Sequence, residues 1–216
     1  MSWLSAQFFA QVQAAQFYTA LHRQAVSLLP PTERRTWLDA GCGPGLVSRL
    51  AAERGYDTLG TDLDPAMVRQ ARSCAGLGAP TRGALRFETS SLFDLPNLVA
   101  PVDVVSAASL LAVLPDRQAA LRALVACLKP DGVALVIEPT ADMTADRASA
   151  YLRAHPGTRM SWVLRMWART RTPARAVSVS DLRLPGWQAQ PHPLLDGMVH
   201  AWVIRPTTCA GLGGLR

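Results

Sequence analysis

The run Trp37-Leu38-Asp39-Ala40-Gly41-Cys42-Gly43-Pro44-Gly45 constrains this chain more than any other feature. An apolar stretch that ends in alternate glycines reads as a buried strand turning straight into a tight loop, one whose backbone lies open to close approach. In open α/β sheets such a loop stands at the carboxyl end of a central strand, where ligands bind. The rest of the chain must then supply flanking strands and the helices that connect them.

The hydrophobic pattern does so. Over residues 5–29, Phe8, Phe9, Val12, Ala15, Tyr18, Leu21, Ala25, Leu28 and Leu29 fall at helical spacing, and Pro30 and Pro31 end the helix. A strand over 36–39 feeds the glycine loop, and a helix over 46–54 follows, with Gly55 placed to cap it. Strand two covers 57–62, and Pro65 opens a helix that runs to residue 75. Strand three covers 84–89, strand four 102–106, and a helix over 118–128 is ended by Lys129-Pro130-Asp131-Gly132 before strand five at 133–138. Segments 186–194 and 198–205 then read as two strands joined across Leu195-Asp196-Gly197. The predicted architecture is α/β: a doubly wound, seven-stranded, mostly parallel sheet with helices on both faces and a C-terminal antiparallel hairpin. Residues 1–216 form one domain: a helical cap (1–31), a ligand-binding core (32–140), a basic insertion (141–180), the hairpin (181–206) and a flexible tail (207–216).

Apolar residues at 49% and charged residues at 18% fit a globular chain. The longest nearly apolar run, 107–114, is far shorter than a membrane span requires. Gln7, Gln11, Gln13 and Gln16 argue against a secretory leader, and the cysteines at 42, 74, 127 and 209 have no spacing typical of zinc sites or disulfide frameworks. A reducing cytoplasm is the expected compartment. The net charge of +6 is carried entirely by residues 141–216, because 1–140 balance 12 basic against 12 acidic side chains.

The glycine run resembles the first motif of the class I S-adenosylmethionine-dependent methyltransferases. The third glycine comes one residue earlier than in the nicotinamide fingerprint, and an acid precedes the loop. Gly60-Thr61-Asp62-Leu63-Asp64-Pro65 resembles the family's second motif, and Ser90-Ser91-Leu92-Phe93-Asp94-Leu95-Pro96 its third. The resemblance spans roughly residues 35–140, where Pro115-Asp116-Arg117 and the Lys129–Gly132 turn also match recurrent positions. It implies the methyl donor S-adenosylmethionine as cofactor, S-adenosylhomocysteine as product, and no metal. Asp39 would hold the methionine end, the loop residues Gly41, Cys42, Gly43 and Gly45 would cradle the ligand, Asp62 would accept from the ribose hydroxyls, and Leu63 would lie against the adenine. Ser91 and Leu92 would meet the adenine edge, with Ser91 standing where many members carry Asp and Asp94 as the alternative acceptor. Ser106, at the end of strand four, completes the expected cofactor contacts. Asp64 reads instead as a helix N-cap.

No general base is evident after strand four, where Ser106-Ala107-Ala108-Ser109-Leu110-Leu111-Ala112-Val113 lacks an Asn-Pro-Pro-Tyr or Asp-Pro-Pro-Tyr motif and a His. Either proximity suffices for a reactive acceptor, or a base comes from Glu138, His155, His192 or Tyr18. The segment 140–177 places Arg147, Arg153, Arg159, Arg165, Arg169, Arg171 and Arg175 around Trp162, Val163, Met166 and Trp167. It reads as a substrate lid with arginines for an anionic group, as a basic surface for peripheral membrane contact, or as a solvated face over a packed helix. Trp3, Phe8, Phe9 and Tyr18 either wall an apolar pocket or simply dock the N-terminal helix. The implied activity is methyl transfer to oxygen or nitrogen of a small aromatic or apolar acceptor, in a monomer or homodimer. A non-catalytic S-adenosylmethionine-binding scaffold is the alternative, and a nucleic-acid methyltransferase ranks below both.

Overall fold

The structure, a computed structural model, describes residues 13, 15–76, 79–170 and 175–207. Trp3, Phe8, Phe9 and Val12 of the expected N-terminal helix, Arg171, Cys209 and the tail beyond 207 lie outside the described residues. Seven strands form one sheet in the order β3-β2-β1-β4-β5-β7-β6. They are β1 (Thr36–Ala40), β2 (Asp57–Asp62), β3 (Leu85–Thr89), β4 (Val102–Ala108), β5 (Leu128–Pro139), β6 (Trp187–Leu194) and β7 (Val199–Pro206). β1 to β5 pair in parallel, whereas β7 runs antiparallel to both β5 and β6. The helices are α1 (Gln16–Ser27), α2 (Leu46–Glu53), α3 (Pro65–Cys74), α4 (Leu95–Leu98), α5 (Arg117–Ala126), α6 (Ala145–Ala154) and α7 (Ser161–Thr170).

Strand alternation sends successive side chains to opposite faces, so each strand feeds two cores. Trp37, Val104, Leu135 and Ile137 pack on one face with residues of α1, α2, α6 and α7. Leu38, Ala40, Val105 and Val136 pack on the other with Leu95 of α4 and with Leu121 and Leu124 of α5. The strand order reverses at β1/β4, which places the glycine loop at the switch point of the sheet.

Local chemistry sets the helix ends. Asp64 accepts from Ala66 N–H at 2.8 Å ahead of Pro65, and Asp116 accepts from Ala119 N–H at 2.8 Å to start α5. Two details depart from the sequence pattern. The N-terminal helix is not continuous, because Ala15 stands in an extended conformation (φ −62°, ψ 130°) ahead of α1. Lys129-Pro130-Asp131-Gly132 does not end a helix and start a strand; it lies within β5, bulged between the Val102–Leu128 and Val104–Val133 pairs. There Lys129 Nζ reaches Asp103 at 2.8 Å. Against the cost of partial burial, the bonds that Asp103 accepts from Lys129 and Thr36 pull its carboxyl down to about 2.

Candidate cofactor site

The glycine loop leaves β1 through three left-handed glycines, Gly41 (φ 68°), Gly43 (φ 52°) and Gly45 (φ 80°). A Cβ on Gly43 would meet only the Gln13 Nε2 at 3.6 Å, so this position leaves space for a ligand to approach the backbone. Asp62, at the end of β2, fastens the loop. Its Oδ2 accepts from Gly43 N–H at 2.9 Å and its Oδ1 from Asp64 N–H at 2.9 Å. Partial burial raises its pKa despite both bonds.

Beneath the loop lies a buried polar network. Asp39 and Ser106 face each other in register across β1 and β4, and the Ser106 hydroxyl donates to Asp39 Oδ1 at 2.7 Å. Ser48 of α2 donates to Asp39 Oδ2 at 2.6 Å. Trp37 Nε1–H donates to the Ser106 oxygen at 2.7 Å, which orients that hydroxyl toward Asp39. Asp39 is 1% exposed, and burial outweighs these bonds to push its pKa up to about 6. Ser106 therefore acts through Asp39; it is wholly buried and does not line the cavity above. Ser48, which sequence reasoning did not single out, holds the other carboxylate oxygen.

That cavity is small and largely enclosed. Asp39, Gly41, Cys42, Leu46, Val47 and Ala108 line it from the sheet side, and Gln13, Tyr18 and His22 from the N-terminal segment. Burial raises the Cys42 thiol, with the Asp39 and Asp62 charges adding to the effect. Ser109, directly after β4, is held at φ 55°, a left-handed strain for a residue with a Cβ. Toward the expected adenine end, Ser90 N–H bonds to Asp62 O at 3.1 Å and brings the third motif beside the second. Leu63 is 73% exposed there, Ser91 accepts from Phe93 N–H at 3.3 Å, and Leu92 packs partly against the core. Asp94 precedes α4 without making a side-chain cap.

The base candidates separate. Tyr18 lines the cavity, its ring 4.3 Å from His22 and 5.3 Å from Trp167 of α7. Glu138 is fully buried on the opposite face, where Oε1 accepts from Leu111 N–H at 2.7 Å; it positions the segment after β4 and does not line the cavity. His155 is an exposed residue after α6, stacked on Tyr151 at 4.2 Å, and His192 lies on the edge strand β6 opposite Ala201. The residue that the motifs did not reveal is His22, 1% exposed beside Asp39, where burial lowers its pKa to about 4.

This sheet order, with a glycine loop and two carboxylates at the switch point, is the Rossmann-like fold that methyltransferases of known structure share. Residues 38–136 match the family described as "Methyltransferase domain". Over that stretch, a little under half of its length, the chain is similar to methyltransferase domains. It is 35% identical over 97 residues to a ubiquinone biosynthesis O-methyltransferase of Idiomarina loihiensis, covering 44% of this chain and 38% of the relative. To a trans-aconitate 2-methyltransferase of Azoarcus it is 29% identical over 198 residues, covering 86% of this chain and 73% of the relative. A magnesium protoporphyrin IX methyltransferase from Synechocystis, solved with S-adenosylhomocysteine bound, shares the fold at TM-score 0.60 and 18% identity, covering 88% and 84% of the two chains. The match to the first of these relatives thus spans well under half of its length.

Proposed function

We propose that this chain is an S-adenosylmethionine-dependent methyltransferase that methylates oxygen on a small organic acceptor. The observation that carries the reading is the glycine loop clamped by Asp62 and opening onto a cavity floored by Asp39. When bound, the methyl donor supplies an electrophilic carbon on a sulfonium. The residues here then have to hold that donor, align the acceptor and exclude water. Relatives named as O-methyltransferases favour oxygen as the receiving atom.

The acceptor side is formed by Tyr18 and by the segment after β5, which α7 brings to the cavity wall through Trp167. On α7, Val163, Leu164, Trp167 and Ala168 are buried, while Trp162, Arg165 and Arg169 are exposed. The packed face supports a lid anchored by apolar contacts, and an aromatic wall suits an aromatic or otherwise apolar acceptor.

Calorimetry with S-adenosylhomocysteine tests the donor site. The wild type should bind, and Asp62→Ala should weaken binding by roughly 10- to 100-fold, the range expected on losing hydrogen bonds to a charged group. No binding by the wild type would overturn the reading. Release of S-adenosylhomocysteine with a panel of phenols, carboxylates and amines, against RNA, then identifies the acceptor class.

A further inference from the structure

The cofactor motifs end at β5, yet α1 brings a buried histidine to the wall of the same cavity. His22 Nδ1 lies 2.8 Å from the carbonyl of Tyr18, one turn earlier on its own helix. A carbonyl only accepts, so Nδ1 carries the proton and Nε2 of the neutral ring is left with its lone pair. No hydrogen bond to Nε2 is made among the described residues, although the side chain is 1% exposed and lines the cavity with Asp39, Gly41 and Ala108. A neutral imidazole that lines an enclosed cavity with an acceptor nitrogen suits a ligand group bearing N–H.

The opposite wall explains why such a residue is needed. Both Asp39 oxygens already accept serine hydroxyls, from Ser48 and Ser106, at 2.6 and 2.7 Å. One lone-pair site on each Asp39 oxygen is thus taken and at most two are left, whereas an α-ammonium brings three N–H donors. The Tyr18 ring, 4.3 Å from the imidazole and tilted 33° to it, packs beside the ring.

We propose that His22 is a cofactor-binding residue, its Nε2 accepting a hydrogen bond from the α-ammonium of the methyl donor while Asp39 supplies the counter-charge. The assignment rests on the donor site described above and adds to it a residue from outside the motif region. Burial, which holds the imidazole neutral down to about pH 4, keeps the lone pair available at working pH.

The test compares two ligands in calorimetry: S-adenosylhomocysteine, and its desamino analogue, in which hydrogen replaces the amino group. The wild type should prefer S-adenosylhomocysteine. His22→Leu should weaken S-adenosylhomocysteine by roughly tenfold or more and leave the analogue within twofold, so that the preference shrinks. His22→Gln, whose amide oxygen can still accept, should retain part of the preference, and it carries the test if the leucine variant does not fold. Equal weakening of both ligands, or unchanged affinity for S-adenosylhomocysteine, would overturn the assignment. A wild type that binds both ligands equally would overturn the part played by His22 alone; one that binds neither would overturn the donor site with it.

Discussion

Two titratable groups in one cavity are shifted in opposite senses by the same cause, and the difference can be measured. Burial raises Asp39 from its ordinary 3.8 to about 6 and lowers His22 from 6.5 to about 4. A raised pKa means that the native state holds the proton more tightly, so the Asp39 contribution is fully present below pH 3.8 and is lost as pH rises through about 6. The depressed His22 works the other way: its contribution is present above pH 6.5 and is lost as pH falls through about 4. Each shift is worth on the order of 3 kcal/mol at about 1.4 kcal/mol per unit, so over pH 4–6.5 the two slopes oppose and largely cancel. Urea unfolding across that window should therefore show Asp39→Asn gaining stability with rising pH relative to wild type, and His22→Leu losing it. Parallel profiles for all three proteins would show that neither group titrates as its burial implies. Asp39 could be read from the sequence because its place before the glycines defines it. His22 could not, since a histidine among apolar residues at helical spacing looks like any packed side chain until the sheet beneath it is known.

At the scale of elements, the turns and caps were legible because they are backbone requirements. Asp64 caps α3, and Gly55 follows α2 at φ 97°, where a Cβ would lie 1.8 Å from the Thr32 carbonyl oxygen. Gly55→Ala should cost at least about 2–3 kcal/mol, combining backbone strain with a clash against main chain, and should lower the urea midpoint accordingly. What the sequence pattern obscured is tertiary in origin. The bulge inside β5 is held by the Lys129–Asp103 pair, which joins neighbouring strands, and the break at Ala15 lies between Gln13, which caps the start of α2 through Leu46 N–H, and α1 itself. Trp167 is the side chain joining α7 to α1 through Tyr18, so Trp167→Ala should cost about 3–5 kcal/mol as a cavity-forming change. It should also speed tryptic cleavage at the arginines of α6 and α7, such as Arg153 and Arg165, because α7 loses a packing contact. Unchanged cleavage would show that the other buried residues of α7 hold it alone.

At the scale of the whole molecule, the ligand site gathers at the carboxyl ends of the central strands: the glycine loop and Asp62 follow β1 and β2, and Tyr18 and His22 wall the cavity from the helix before β1. A ligand that bridges them should stabilise the entire chain. With S-adenosylhomocysteine at about a hundred times its dissociation constant, binding adds about 2.7 kcal/mol and should raise the melting temperature by roughly 5–10 °C for a chain of this size. No helix among the described residues is long and apolar enough to cross a membrane. The wall itself has a temporal consequence. Because Gln13, Tyr18 and His22 wall the cavity from the side of α1, and Trp167 packs on Tyr18 of that helix, a ligand bound there is expected to leave faster once that contact is lost. Dwell time then becomes a property of a helix contact distant in sequence from every cofactor motif. In stopped-flow displacement, Trp167→Ala should release S-adenosylhomocysteine several-fold faster than wild type, with the residence of the product, and so the pace of repeated turnover, set by how tightly two rings hold one helix down.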